Sequence, residues 1–170
     1  MKYKLIKQEP FFCVPRCLQM IFDKIKISYD SQKEIAHELG FINDDKHHGT
    51  QVEKEEYSIS SYLERHNIPL TFKYFYITSL KDAKAFLNNN LNDDIMVCYK
   101  RGVMFNKKME GGHATLIEKV EGNYITLIYP EDELGYRIVL LEKLLEAIKL
   151  HGQENMAGFW LFKNKKKKEI

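Results

Sequence analysis

Residues 13–25 read CVPRCLQMIFDKI, and their pattern predicts the first helix of the protein. The apolar residues follow the i, i+3, i+4, i+7 spacing of one buried helix face: Leu18, Ile21, Phe22 and Ile25. Pro15 suits the first turn of this helix, where its missing N–H would have no partner in any case. The helix therefore begins near Cys13, at the end where backbone N–H groups are free.

Outward from this helix, the pattern predicts mainly helices in the first half of the chain and strands in the second. The other predicted helices are residues 31–40, with Asp30 or Ser31 as N-cap, then 57–66, 79–90 and 141–150. The predicted strands are residues 70–77, 95–99, 113–120, 123–128, 136–140 and 159–162, and residues 43–50 are a predicted loop. This order predicts an α+β fold, with N-terminal helices followed by an antiparallel sheet.

The composition is typical of an ordinary globular protein. The 170 residues suit one domain, so we predict a single domain over residues 1–170 with a basic tail at about 163–170. Hydrophobic residues make up 44% and charged residues 29%, which excludes a disordered or fibrous chain. Lys and Arg number 26 against 24 Asp and Glu, and this balance predicts no general attraction to nucleic acid.

The sequence shows neither an export signal nor a run of about 18 apolar residues, so we expect no membrane span. Its three cysteines are an odd number, which favours reduced thiols over a disulfide framework. We therefore expect a cytoplasmic protein.

Cys13 is the first candidate catalytic residue. The dipole and the free N–H groups at a helix N-terminus stabilise a thiolate, which is the form that attacks carbonyl groups. The alternative is that Cys13 is a small apolar residue that packs at the start of a helix.

His113 is the second candidate. It follows Gly111 and Gly112, which allow a substrate chain or another backbone to approach closely, and it opens a predicted strand. A Cys on a helix and a His on a strand, far apart in sequence, are typical of a thiol–imidazole pair. The imidazole takes the thiol proton and later returns it to the leaving group. The alternative is a half-buried histidine at a strand start, with glycines that only form a turn.

Three motifs in order resemble those of the papain-like C39 and C39-like cysteine peptidases. Gln8–Ile21 resembles their nucleophile segment, in which a Gln precedes the Cys and a helix follows. Ser31–Gly40, followed by Gly49–Thr50, resembles their second helix and loop. Gly112–Ile117 resembles their Gly-His-apolar strand, and Ile128–Pro130 lies where they carry Asp-Pro.

This resemblance, over about residues 5–150, implies a papain-like fold with Cys13 as nucleophile and His113 as base. It also implies that Gln8 donates to the oxyanion hole, and a side-chain amide beside the Cys can stabilise an oxyanion. The activity implied is that of a thiol-dependent peptidase or amide hydrolase. Its partner would be a peptide or protein substrate, and it would use no cofactor.

Two positions depart from the family pattern. Val14 lies where Gly usually follows the Cys, and a β-branched residue restricts the backbone there. Tyr129 lies sixteen residues after His113, at the position of the family's Asp. A phenol can accept a hydrogen bond but stays neutral near pH 7, so it cannot stabilise an imidazolium as a carboxylate does. Three possibilities stay open: a dyad oriented by Tyr129, a triad completed by Glu131 or Asp132, or an inactive fold that binds peptides or proteins.

Cys17 adds a further alternative. It follows Cys13 by four residues on the same helix face, and with His47 and His48 the two thiols could hold zinc. Their spacing differs from that of the usual zinc sites, so we expect Cys17 to pack inside and the two histidines to be solvated. A disulfide between Cys13 and Cys17 would be strained. Cys98 lies in an apolar strand, where an inert thiol is expected.

Overall fold

Helices and strands occur along the whole chain, which a computed structural model describes over residues 1–45, 47–105, 111–129 and 132–165. The helices are α1 (Cys13–Lys24), α2 (Gln32–Glu38), α3 (Ile59–Arg65), α4 (Leu80–Asn89), α5 (Arg101–Phe105) and α6 (Leu141–His151). The strands are β1 (Ile42–Asn43), β2 (His48–Gly49), β3 (Leu70–Phe75), β4 (Asp94–Lys100), β5 (Gly112–Glu121), β6 (Tyr124–Ile128), β7 (Tyr136–Leu140) and β8 (Gly158–Asn164). Within these ranges no helix has both the length and the apolar character needed to cross a bilayer.

Six of the strands form one sheet in the order β3-β8-β4-β5-β6-β7, and every neighbouring pair is antiparallel. The predicted α+β class with an antiparallel sheet is therefore confirmed. β4 and β5 lie in the middle, where Tyr99 pairs with His113 and Cys98 with Ala114. In antiparallel strands, the last residues of β4, the first of β5 and the last of β6 meet at one end of the sheet.

Helices cover both faces of this sheet. The first core cluster contains side chains of α1, α2 and α3 together with Ala114, Leu116 and Cys98 of the sheet. The second contains side chains of α4, α5 and α6 together with Tyr99 and Ile117. Because successive side chains of a strand point to opposite faces, neighbouring residues of β4 and β5 belong to different layers.

The helix starts follow from local capping. Ser31 accepts a hydrogen bond from the backbone N–H of Glu34 at 3.2 Å, and the Glu34 carboxylate accepts one from the N–H of Ser31 at 2.9 Å. These two bonds form a capping box, which fixes the start of α2 at the predicted residue. Ser79 caps α4 through the N–H of Asp82 at 3.1 Å. Gly40 follows α2 with a φ of +67°, a conformation that favours glycine.

Three sequence predictions differ from the structure. The predicted loop 43–50 contains β2 and part of β1, which pair as a short hairpin. α5 was not predicted, because five residues that include a glycine are too short for a periodic pattern. The predicted basic tail begins too early, since residues 163 and 164 belong to β8, whereas residues 166–170 lie outside the described ranges. Trp160 lies in β8 and is 1% exposed, so its predicted place in a core strand is confirmed.

Candidate functional site

α1 brings Cys13 to the end of the sheet where β4 ends and β5 begins. At the other end of the helix, the Lys24 ammonium donates to the Asp94 carboxylate at the start of β4, at 2.6 Å. The Cys17 thiol donates to the carbonyl oxygen of Ala114 at 3.6 Å. Because an α-helix rises about 1.5 Å per residue, Cys13 lies roughly 6 Å further along the helix axis, towards the start of β5.

Cys13 is partly buried at the edge of the first core cluster, and all three cysteines are reduced thiols, as predicted. Cys98 lies within the electrostatic influence of Cys13 and Cys17. Burial, and to a smaller extent these two neighbours, raise the pKa of the Cys98 thiol above its ordinary value. Cys98 is therefore an unreactive core thiol, whereas Cys13 is partly open to solvent.

The backbone before Cys13 has an unusual conformation. Phe11 has a φ of +66°, in the left-handed region that non-glycine residues rarely adopt. Phe12 precedes the helix and provides no side-chain acceptor for the first N–H groups of α1. These N–H groups point outward from the start of the helix and can donate to an anionic oxygen. This arrangement suits an oxyanion hole built around the N–H of Cys13.

His113 is 4% exposed, and its imidazole lies between two tyrosine rings. The ring centroids are 5.9 Å from Tyr99 and 5.4 Å from Tyr129. Nε2 of the imidazole has no hydrogen-bond partner among the described residues. Since Tyr99 and Tyr129 belong to the second core cluster, His113 faces the layer opposite to α1. Ala114, the next residue, faces α1.

Two arginines set the electrostatics of His113. Burial, and then the positive charges of Arg16 and Arg101, hold the pKa of His113 well below its usual range. The imidazole is therefore neutral at pH 7 and can accept a proton. The same charges oppose a lasting imidazolium. This environment favours a base that takes its proton during the reaction over a resting thiolate–imidazolium pair.

Tyr129, at the position of the family's Asp, lies beside His113 in the structure. It is 1% exposed, and its hydroxyl accepts from the hydroxyl of Tyr99 at 3.4 Å. Burial raises the pKa of Tyr129, against the opposing effects of a bond with Tyr99 and of nearby arginines, Arg101 and Arg137. The phenol is therefore neutral at pH 7 and offers no negative charge to the imidazole.

Of the carboxylates that could replace the missing acid, the described one, Asp132, is held by an arginine. Asp132 forms an ion pair with Arg137, and Asp132 Oδ1 lies 2.8 Å from Nη2 of the guanidinium. Arg137 in turn lies over the ring of Tyr129, 4.6 Å from its centroid. Glu131 lies outside the described residues. Of the three candidates for orienting the imidazole, the structure therefore places Tyr129 next to it.

Gln8 lies on the extended segment before α1, and its Oε1 is buried without a hydrogen-bond partner among the described residues. The backbone on both sides of Gln8 is held by Gln32 of α2. The Gln32 amide donates to the carbonyl of Lys7 at 2.8 Å and accepts from the N–H of Glu9 at 2.9 Å. Gln32 is 4% exposed, so this clamp is shielded from water.

The clamp leads to a stability prediction. In the isosteric variant Gln32→Glu, the side chain can still accept from Glu9 but cannot donate to Lys7. We expect the free energy of unfolding to fall by at least about 2 kcal/mol at pH 7, because the Lys7 carbonyl loses its donor and a carboxylate takes a buried position. Urea denaturation measures this change, and Gln153→Glu, at an exposed glutamine, is the matched control. Equal stability of both variants would show that the clamp does not fix this segment.

Four residues around the candidate site were not predicted from the sequence: Arg16, Gln32, Arg101 and His151. The sequence gives one signal for Arg16, because it is a charged residue within the apolar stretch of α1. In the structure its side chain is fully buried. Its guanidinium donates to the carbonyl of Ala114 at 3.4 Å. His151 ends α6 against Gly112, where an added Cβ would lie 2.2 Å from the histidine Nε2. The expected close approach at Gly112 is therefore made by another part of this chain.

The zinc alternative receives no support from the structure. The ring of His48 stacks on Phe11 at 5.0 Å and bonds to Asn43, while His47 lies beside Asp44 in the same loop. Over the described ranges, these histidines and the two thiols of α1 do not form a group close enough to hold one metal ion.

The structure thus brings Cys13, His113 and Tyr129 to one end of the sheet, but on two layers. Within the part of the chain that is described, no hydrogen bond joins the Cys13 thiol to the imidazole. In comparisons with known proteins, no protein-family model matches this chain, and no curated protein matches it either. A functional assignment therefore depends on the chemistry of these residues.

Proposed function

We propose that this protein is a thiol-dependent peptidase or amide hydrolase with a papain-like fold, resembling the C39-like cysteine peptidases. The observation that carries the proposal is the environment of His113. A buried, neutral imidazole lies beside Tyr129 at the end of the sheet where α1 begins with Cys13. The substrate would be a peptide or protein, and the reaction acyl transfer to water.

In the first step, the sulfur of Cys13 attacks the substrate carbonyl carbon and its proton passes to His113. The oxyanion of the tetrahedral intermediate accepts hydrogen bonds from the amide of Gln8 and the N–H of Cys13. His113 then returns the proton to the leaving amine as the C–N bond breaks. Water hydrolyses the thioester by the same proton route and frees the thiol.

The layer arrangement constrains this mechanism. Because His113 faces away from α1 and Ala114 faces towards it, the thiol and the imidazole can meet only at the end of the sheet where β5 begins. Tyr129 would orient the imidazole, since no described carboxylate contacts it. Arg16 and Arg101 oppose the imidazolium, so proton transfer would accompany carbon–sulfur bond formation.

A second function, binding of a peptide or protein without hydrolysis, is favoured by the same charges. A neutral phenol in place of a carboxylate and two guanidinium groups near the imidazole both disfavour the charged state that catalysis passes through. Val14 is 6% exposed, so its side chain is packed and does not line an open cleft.

Covalent labelling distinguishes the two functions. Peptides carrying an electrophilic vinyl sulfone at the scissile position would be incubated with the full chain, and adducts counted by intact-protein mass spectrometry. We expect one adduct on the wild type and on Cys98→Ser, and none on Cys13→Ser. Peptide binding without an adduct would favour the binding function. An adduct that persists in Cys13→Ser would contradict the assignment of the nucleophile.

A further inference from the structure

Outside the candidate active site, side chains that could bind a metal ion lie together at the ends of α2 and α3. Nε2 of His66 lies 2.8 Å from Oε1 of Glu38, and Nδ1 of the same ring lies 3.8 Å from Oδ2 of Asp30. One ligand atom from each residue lies within 4.8 Å of the other two. The three residues come from the segment before α2, the last turn of α2 and the end of α3, so the tertiary fold brings them together.

The imidazole in this group has a fixed orientation. The ring of His66 packs against Tyr62 with a centroid distance of 4.6 Å, and Tyr62 stacks on Phe22 at 6.3 Å. Tyr62 and Phe22 are buried in the first core cluster. A ligating nitrogen held in this way loses little side-chain entropy when it binds an ion.

The charge of the group suits a cation. Asp30 and Glu38 supply two carboxylates, and the guanidinium of Arg65 lies 3.3 Å from Glu38. The two carboxylates carry two negative charges, and Arg65 reduces the net charge to one negative charge. The three candidate ligand side chains are between 30% and 46% exposed, so an ion can reach them.

A cavity lies beside these residues. It has a volume of about 330 Å³, and both Asp30 and His66 line it. Phe22, Tyr62 and Ile68 provide an apolar wall. A volume of this size falls within the range of small-ligand sites. The carboxylate of Asp30 and the imidazole of His66 therefore border a half-open pocket.

We propose that Asp30, Glu38 and His66 bind a divalent transition metal ion, best matched by zinc, with one coordination position open to this cavity. One imidazole and two carboxylates are ligands that zinc accepts at about 2.0–2.2 Å. Two ligands of one ion then lie roughly 3 to 4 Å apart, so small side-chain rotations suffice. Three protein ligands leave the fourth position of a tetrahedral ion for water or a small ligand from the cavity.

Zinc titration of the full chain by isothermal calorimetry tests this site. The background is Cys13→Ser, so that the partly exposed thiol does not bind zinc. We expect one binding event, and at least a tenfold weaker affinity in His66→Gln and in Glu38→Gln.

Two further variants separate a metal site from a plain ion pair. Arg65→Gln removes the positive charge that competes with zinc for Glu38, so zinc should bind more tightly. If the cluster is only an ion pair, this variant should not increase the affinity for zinc. Asp30→Asn removes a ligand whose carboxylate lies 3.8 Å from Nδ1 of His66. This variant replaces the His66 variant in the test if the latter fails to fold. The proposal is overturned if zinc does not bind, if the ligand variants leave the affinity unchanged, or if His47→Gln abolishes binding instead.

Discussion

Replacing His113 by alanine should slow the labelling of Cys13 by a peptidyl vinyl sulfone about a hundredfold at pH 7. The expected size follows from the contribution of a positioned general base, which is typically 10²- to 10⁴-fold. We take the lower end because Tyr129 supplies no negative charge to the imidazole. The measurement is the second-order rate constant of adduct formation, followed by intact-protein mass spectrometry on the wild type and the variant.

The control is chosen from the same end of the sheet. His151 lies against Gly112, one residue before His113. Burial lowers the pKa of His151, Glu154 opposes this effect, and Lys100 makes a smaller contribution in the same direction as burial. His151→Ala should leave the rate within about twofold of the wild type, since a residue outside the proton path contributes little. If His151→Ala slows labelling and His113→Ala does not, the base is His151 and the assignment to His113 is wrong.

The parts of the fold that depend on neighbouring residues in the sequence were predictable, and those that depend on distant residues were not. The spacing of apolar residues in α1 and the capping residues Ser31 and Ser79 depend on neighbours within four positions, so the helix starts follow from the sequence. The strand that carries His113 follows from its apolar residues. The pairing of β3 with β8 joins residues some ninety positions apart, which no local pattern specifies.

The surroundings of the candidate site depend on such distant contacts. Tyr129 was expected near His113 only from the resemblance to a family, and its ring contact with the imidazole is a finding of the structure. The layer that His113 faces depends on the strand register, where a shift of one residue would reverse it. Arg101 begins a helix too short for sequence periodicity to reveal. The charge around the imidazole was therefore not predictable.

The stability of the protein should fall in acid because of His113. The folded state holds this imidazole neutral, with a pKa well below the ordinary value of about 6.5 that the unfolded chain has. Below pH 6.5 the unfolded chain therefore binds a proton that the folded chain does not. Stability is lost as the pH falls through this window, by at most about 2 kcal/mol at pH 5 for one histidine.

Urea denaturation at pH 7.5, 6 and 5 measures this loss, and the comparison with His113→Asn isolates it. Carboxylates that titrate in the same range act on both proteins, so the difference between the two curves reports His113. We expect the variant to lose less stability than the wild type between pH 7.5 and 5, by a difference of at most about 2 kcal/mol. The control His47→Asn changes a histidine whose side chain is 69% exposed, and its curve should parallel that of the wild type.

Both predictions depend on the same physical state of His113. If the wild type and His113→Asn lose stability in parallel, the imidazole takes up its proton as readily in the folded chain as in the unfolded one. Arg16 and Arg101 would then not oppose an imidazolium, and a resting thiolate–imidazolium pair would become the favoured form. A steep loss together with fast labelling at pH 7 would instead support a neutral base that accepts its proton only as the sulfur attacks.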